Sequence, residues 1–153
     1  MPFSVLVALG SNLGDRALSL RRAIDALRGV IRVVRVSPFV DTDPVDAPPE
    51  SPRFLNAVVA GYTDLDPRSL LAALLAIETR LGRRRTIRNA PRVIDIDLIL
   101  HSAHLVRTRG LILPHPRYLG RGFVREPLRT LRLSWRDPVT GTILSREDAK
   151  TRR

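Results

Sequence analysis

Cysteine is absent from this chain of 153 residues. There can be neither a disulfide framework nor a thiolate metal site. Lysine is nearly absent too: Lys150 is the only one, so the 26 basic residues are otherwise all arginine. Aromatic residues make up 5%, too few for a sheet that stacks several bases. No apolar run is long enough to cross a bilayer, and the N-terminus lacks the charged-then-apolar pattern of a signal peptide. A cytoplasmic location with no membrane partner is the expectation. Internal repeats are missing, and no shift in composition marks a second domain. One domain is expected over residues 1–144, followed by a polar, frayed tail over 145–153.

What is present is positive charge. The formal net charge is +11, which suits a polyanionic partner such as a nucleotide, a nucleic acid or an anionic membrane surface. An arginine bias can also come from genome composition, so charge alone decides little. A hydrophobic content of 44% is enough, at this length, for one sizeable core.

The pattern along the chain predicts six main elements. Phe3 to Leu9 reads as a buried strand, and Gly10-Ser11-Asn12-Leu13-Gly14 as a tight turn after it. Leu13, Ala17, Leu20, Ile24 and Leu27 recur at steps of four and three, which predicts a helix to about Arg28, ended by Gly29. Val30 to Val40 is rich in β-branched residues and reads as one strand. Asp41 to Pro52 is a loop dense in proline and acid, of a length usually tied to function. Phe54 to Tyr62 is a third strand, with Asn56 in need of a partner. Asp66 and Pro67 start a second helix, Leu70, Leu71, Leu74, Leu75, Ile77 and Leu81 supply its apolar stripe, and Gly82 stops it. Strand, helix, strand, strand, helix, strand is the ferredoxin-like split βαβ order. It is an α+β fold with helices packed on an antiparallel sheet. A C-terminal extension follows, with a hairpin between Trp135 and Ile143.

The last strand of that order carries the chemistry. Ile94, Ile96, Leu98 and Leu100 alternate with Asp95, Asp97 and Ile99, so Asp95 and Asp97 share one face, about 6–7 Å apart along the backbone. Arginines crowd the approach from Arg80 to Arg92. Paired carboxylates beside guanidinium groups suit Mg²⁺ carrying a polyphosphate. They suit equally an edge strand kept soluble by ion pairs. Glu78, in the last turn of the second helix, is read by itself as a surface residue paired with arginine. Pro114-His115-Pro116 holds a histidine rigidly, whereas His101 and His104 have no such frame.

Five segments, in order, resemble the 6-hydroxymethyl-7,8-dihydropterin pyrophosphokinase family of folate biosynthesis. They are Val7-Ala8-Leu9-Gly10-Ser11-Asn12-Leu13-Gly14-Asp15, Phe54-Leu55-Asn56-Ala57, Ile77 to Arg83, Pro91-Arg92-x-x-Asp95-Ile96-Asp97, and Pro114-His115-Pro116-Arg117. The likeness runs from about Phe3 to Leu128. It implies a ferredoxin-like fold and transfer of a pyrophosphoryl group from ATP, the co-substrate, to a dihydropterin. Asp95 and Asp97 would hold two Mg²⁺ ions. Arg83 and Arg92 would sit on a mobile loop and brace the phosphates. Glu78, Arg85, Arg92, Leu98, His115 and Arg121 would line the nucleotide site. Thr42, Asp43, Pro44, Val45, Phe54, Asn56 and Phe123 would hold the pterin. The expected state is a monomer that binds no nucleic acid. Asn89, where the family often has an aromatic residue, Asp43, Arg125 and the basic segment after Leu128 depart from the pattern. A basic RNA-binding module on the same fold, or a catalytically inactive relative, are the rival readings.

Overall fold

The computed structural model describes residues 2–44, 49–82, 92–102, 104–116, 135–136 and 143–144. Strand β1 (Phe3–Ser11) leads to helix α1 (Arg16–Leu27) and strands β2 (Arg32–Val36), β3 (Val40–Thr42) and β4 (Phe54–Thr63). Helix α2 (Pro67–Arg80), strand β5 (Asp95–His101) and the hairpin of β6 (Val106–Thr108) and β7 (Leu111–Leu113) follow. The expected C-terminal hairpin is present as β8 (Trp135–Arg136) paired with β9 (Ile143–Leu144). The polar tail expected over 145–153 lies outside the described residues.

The main sheet is antiparallel in the order β2-β4-β1-β5, with β3 also paired to β4. This is the split βαβ arrangement expected from the element order. The two central strands are the most apolar. Val5, Val7 and Leu9 of β1 and Val59 of β4 form one core with Leu20 and Leu27 of α1, Leu70 and Leu74 of α2, and Ile96 and Leu98 of β5. Each such side chain fully withdrawn from water contributes about 1.5–3 kcal/mol. On the opposite face Leu6, Ala8, Val58 and Ala60 are buried as well.

Boundaries differ from the expectation where turn chemistry and ladder pairing compete. Gly10 and Ser11 belong to β1, paired with Asn56 and Leu55, so the turn is shorter than the glycines suggest. Leu13 is 47% exposed and precedes the helix, whose N-cap is Asp15, accepting from the Leu18 amide at 3.1 Å. The helix ends at Arg28 in ordinary right-handed geometry, and Gly29 takes no positive φ, unlike Gly82 at +96° after α2. The run from Val30 to Val40 is broken by Ser37-Pro38-Phe39, because Pro38 has no amide to give a ladder. Ser37 ties the break down: its amide donates to the Val58 carbonyl and its hydroxyl accepts from the Val58 amide. Asp41 and Thr42, expected in the loop, instead pair with Leu55 and Phe54.

The alternation in β5 also changes phase. Val7 pairs with Leu98 and Leu6 with Leu100, so Ile99 is an extra residue opposite a single step of β1. Before this bulge Asp95 and Asp97 face away from the helices. After it Leu100 takes that face and His101 turns to the helix side, where its Nε2 lies 2.8 Å from the Leu65 carbonyl.

Candidate active site

The polar residues of the sheet converge on the face opposite α1 and α2. Strand alternation places Thr42, Phe54, Asn56, Gly10, Asp95 and Asp97 there. The register makes a row of them: Gly10 sits opposite Asn56 on one side and Asp95 on the other. Gly10 has to be glycine. A Cβ there would stand 2.9 Å from Asn56 Oδ1 and 3.3 Å from Phe54 Cδ1. The gap it leaves separates an amide and an aromatic ring from the first carboxylate. Sequence reading took Gly10 for a turn residue and missed this.

Asn56 is buried, and its Nδ2 donates to the Thr42 hydroxyl at 2.6 Å. That bond fixes which end of the amide points at Thr42 and which at Gly10. Asp43, two residues beyond Asp41, does not join the row with its side chain. Its carboxylate is 86% exposed and faces Arg53 at 3.7 Å. Pro44 is half-buried, whereas Val45 and Phe123 lie outside the described residues.

Arg92 links the two halves of the row. Its Nη1 lies 3.3 Å from Asp95 Oδ2, and its guanidinium carbon stands 5.8 Å from the centre of the Phe54 ring. Its backbone is hydrogen-bonded to the turn after β1. The Asn12 amide donates to the Arg92 carbonyl at 3.1 Å, and the Arg92 amide donates to Asn12 Oδ1 at 2.8 Å. Asn12 Nδ2 donates in turn to the Pro52 carbonyl at 3.3 Å. The turn after β1 therefore holds the approaches to both β4 and β5. Arg83, Arg85, Asn89 and Arg121 lie outside the described residues.

Beside the open edge of β5 lies a cavity of about 990 Å³. Arg92, Asp95, Asp97, Glu78 and His115 reach its wall together with Leu98, and Leu71, Leu75 and Ile112 form an apolar side. Leu75 and Ile112 are 40% and 47% exposed; large apolar side chains left open like this mark a place for an apolar ring. The four nucleotide-site candidates among the described residues, Glu78, Arg92, Leu98 and His115, are thus brought together. Leu98 also packs into the core.

Glu78 is not the surface residue its helix position suggests. It is 3% exposed, and its Oε2 accepts the Ile96 amide at 2.7 Å. β5 ends the sheet among the described strands, so its outward amides have no described strand to receive them, and Glu78 takes the one between the two aspartates. His115 is placed through the bulge: its amide donates to the Ile99 carbonyl at 2.9 Å.

The donor set fits magnesium. Asp95 and Asp97 offer hard oxygens on one face at an open edge, half-buried. Among the described residues no group of three or more His, Cys, Asp or Glu could hold a metal ion. One or two carboxylates, with water and phosphate oxygens completing the shell, are what Mg²⁺ takes at a polyphosphate site, whereas a closed protein cage would be unsuitable.

Comparison with known proteins agrees with this geometry. The family model for 7,8-dihydro-6-hydroxymethylpterin-pyrophosphokinase (HPPK) matches residues 6–133. The chain is 42% identical over 124 residues to the 2-amino-4-hydroxy-6-hydroxymethyldihydropteridine pyrophosphokinase of Bacillus subtilis, covering 80% of this chain and 74% of that one. A mitochondrial folate synthesis bifunctional protein of Arabidopsis thaliana is 42% identical over 125 residues, covering 81% of this chain and 22% of that protein. Among solved structures, wild-type HPPK-DHPS of Plasmodium falciparum shares the fold with a TM-score of 0.77 at 13% identity, over 99% of this chain and 45% of that one. The chain thus spans less than half the length of the Arabidopsis and Plasmodium proteins.

Proposed function

The chain belongs to the 7,8-dihydro-6-hydroxymethylpterin-pyrophosphokinase family, and from that premise we propose that it transfers a pyrophosphoryl group from ATP to 6-hydroxymethyl-7,8-dihydropterin. The hydroxymethyl oxygen attacks the β-phosphorus of ATP. The bond from that phosphorus to the oxygen bridging it to the α-phosphorus breaks, and AMP leaves with the bridging oxygen. The hydroxyl proton goes to solvent. The observation that carries this reading is the row Asn56, Gly10, Asp95 across three strands, which sets a place for a flat polar ring directly beside a carboxylate pair.

Each residue then has a definite task. Phe54 offers a ring face for stacking, and the Asn56 amide, oriented by Thr42, hydrogen-bonds the polar edge of the pterin. Val45 and Phe123 are assigned to the same pocket. Asp95 and Asp97 would hold two Mg²⁺ ions, which when bound screen the triphosphate charge and align it for in-line attack. Arg92 lies between the carboxylates and the ring, where its guanidinium can meet phosphate oxygens near the attacking hydroxyl. Arg83, Arg85 and Arg121 add phosphate contacts. Glu78 keeps the backbone between the two aspartates in place, and His115 stands at the nucleotide wall. Such transfer rests on positioning and charge stabilisation more than on covalent help.

Burial of Leu6, Ala8, Val58 and Ala60 supports setting the RNA-binding alternative aside. An RNA platform on this fold needs that sheet face open and lined with aromatics. We place the protein in the cytoplasm, acting as a monomer; no helix among the described residues is long and apolar enough to cross a membrane.

Incubation with Mg-ATP and the dihydropterin tests the proposal. AMP and a pterin diphosphate ester should appear in equal amounts. ADP with a monophosphate ester, or no turnover at high enzyme concentration, contradicts it. The second of these outcomes supports the inactive relative.

A further inference from the structure

Arg16 opens α1, yet its side chain serves the far strands. Nη1 donates to Asp41 Oδ1 at 2.7 Å and to the Arg53 carbonyl at 3.1 Å, and Nη2 donates to Asp41 Oδ2 at 3.4 Å. This is a two-pronged grip on a carboxylate with a third bond to backbone, a geometry that only the planar fork of arginine supplies. The partners lie on or beside two different strands. Asp41 is the middle residue of β3, and Arg53 immediately precedes β4.

Among the described residues, β3 has one neighbouring strand. It is three residues long, and its ladder is with β4 alone, through Val40 with Asn56, Asp41 with Leu55 and Thr42 with Phe54. Next to each Arg16 contact stands a residue of the pterin row. Thr42 follows Asp41 and carries the hydroxyl that orients Asn56. Phe54 follows Arg53. Arg53 itself reaches Asp41 only at 3.8 Å and shares its charge with Asp43, so it does not replace the shorter grip. The Arg16 guanidinium, through its hydrogen bond, holds the Asp41 carboxyl below the usual carboxylate range, so that carboxylate stays ionised at neutral pH. The side chains are 31% and 48% exposed, so the pair adds little to global stability. Its effect is geometric.

We propose that Arg16 is a positioning residue for the pterin pocket, fixing β3 against β4 so that Thr42, Asn56 and Phe54 hold one arrangement. The proposal rests on the reading of that row as the dihydropterin site. Its reach is selective: Arg16 acts on the pterin half and leaves the carboxylate and nucleotide half alone.

Arg16→Gln and Arg16→Lys test it, together with Asp41→Asn and the Arg16→Gln/Asp41→Asn double variant. Arg16→Gln should raise the KM for dihydropterin about tenfold, with kcat and the KM for Mg-ATP within about twofold of wild type. Lysine keeps the charge without the fork and should fall between glutamine and wild type. The double variant should be no worse than Arg16→Gln, because both changes break one contact. In the ligand-free protein, the β3 amides should exchange hydrogen about tenfold faster in Arg16→Gln, while β1 amides keep their wild-type rates. An unchanged pterin KM beside active wild type overturns the inference alone, and so does unchanged β3 exchange. Equal losses for both substrates with a lowered Tm assign Arg16 to α1 stability and also overturn it. A wild-type protein that never turns over dihydropterin overturns the reading beneath it. In that case the exchange rates still decide whether Arg16 holds β3.

Discussion

Glu78 brings a carboxylate into the interior, where its Oε2 accepts the backbone amide of Ile96 between the two aspartates. Removing it leaves that amide on the free edge of β5, at a cost of about 2 kcal/mol. Glu78→Ala should therefore lower Tm by roughly 4–8 °C and weaken nucleotide binding, whereas Glu78→Gln keeps an acceptor and most of the stability. Melting curves and nucleotide titrations check both; an alanine variant that melts like wild type contradicts the assignment. His101 is a second buried polar group, with a different consequence. Its Nε2 faces the Leu65 carbonyl and must carry the proton, so Nδ1 accepts from His104 Nδ1 at 3.0 Å. Burial, with the nearby charge of His104, outweighs the Leu65 carbonyl and Asp66 and lowers its pKa below 6.5. The unfolded chain then binds a proton that the folded chain refuses, so stability is full above pH 6.5 and falls as pH drops below it. Tm measured from pH 7.5 to pH 5 should fall less steeply in His101→Gln than in wild type, and parallel slopes would refute this. Neither role was legible in the sequence. Glu78 looks like any acid near a helix end, and the framing that singled out His115 says nothing about a histidine whose carbonyl partner is 36 residues away.

β1 and β5 show how far periodicity carries and where it stops. Alternation in β5 was enough to put Asp95 and Asp97 on one face, because side-chain direction there follows from the strand alone. The change of phase at Ile99 was not legible, because a bulge is a relation between two strands and depends on the step of β1 opposite it. Gly10 is the converse case. Gly-Ser-Asn reads as turn chemistry, but pairing with Asn56 and Asp95 keeps the residue in the strand, and its lack of a side chain is used for space. Pro38 lies just past the end of β2, but the β-branched residues before and after it read as one run. Gly10→Ala should weaken dihydropterin binding about tenfold or more, because the new methyl meets the Asn56 amide and the Phe54 ring. Nucleotide affinity should change little. Fluorescence titration with the pterin and calorimetry with the nucleotide separate the two. Normal pterin affinity in the variant would remove Gly10 from the site.

Across the molecule, α1 and α2 close one face of the sheet, and the opposite face carries the row of polar residues beside the buried Leu6, Ala8, Val58 and Ala60, so motifs distant in sequence meet. The turn after β1, the start of β4, the end of α2 and the strand from Asp95 come together at the Asn12, Arg92 and Glu78 contacts. Their order along the chain was legible as a family pattern, and the ferredoxin-like layering followed from element order. What the order could not give was the set of contacts that holds them, since each joins segments far apart in sequence. The net charge of +11 draws in any polyanion, but charge alone does not distinguish a triphosphate from RNA; the carboxylate pair does, because it repels phosphate unless a divalent cation lies between. Calorimetric titration of a non-hydrolysable ATP analogue, in excess Mg²⁺ and in EDTA, addresses that pair directly in wild type and in Asp95→Asn/Asp97→Asn. Wild type should lose about a hundredfold in affinity without Mg²⁺, and the double variant should bind weakly to the same extent in both buffers. A double variant that binds as tightly as wild type, and still needs Mg²⁺ to do so, would place the metal and the triphosphate elsewhere.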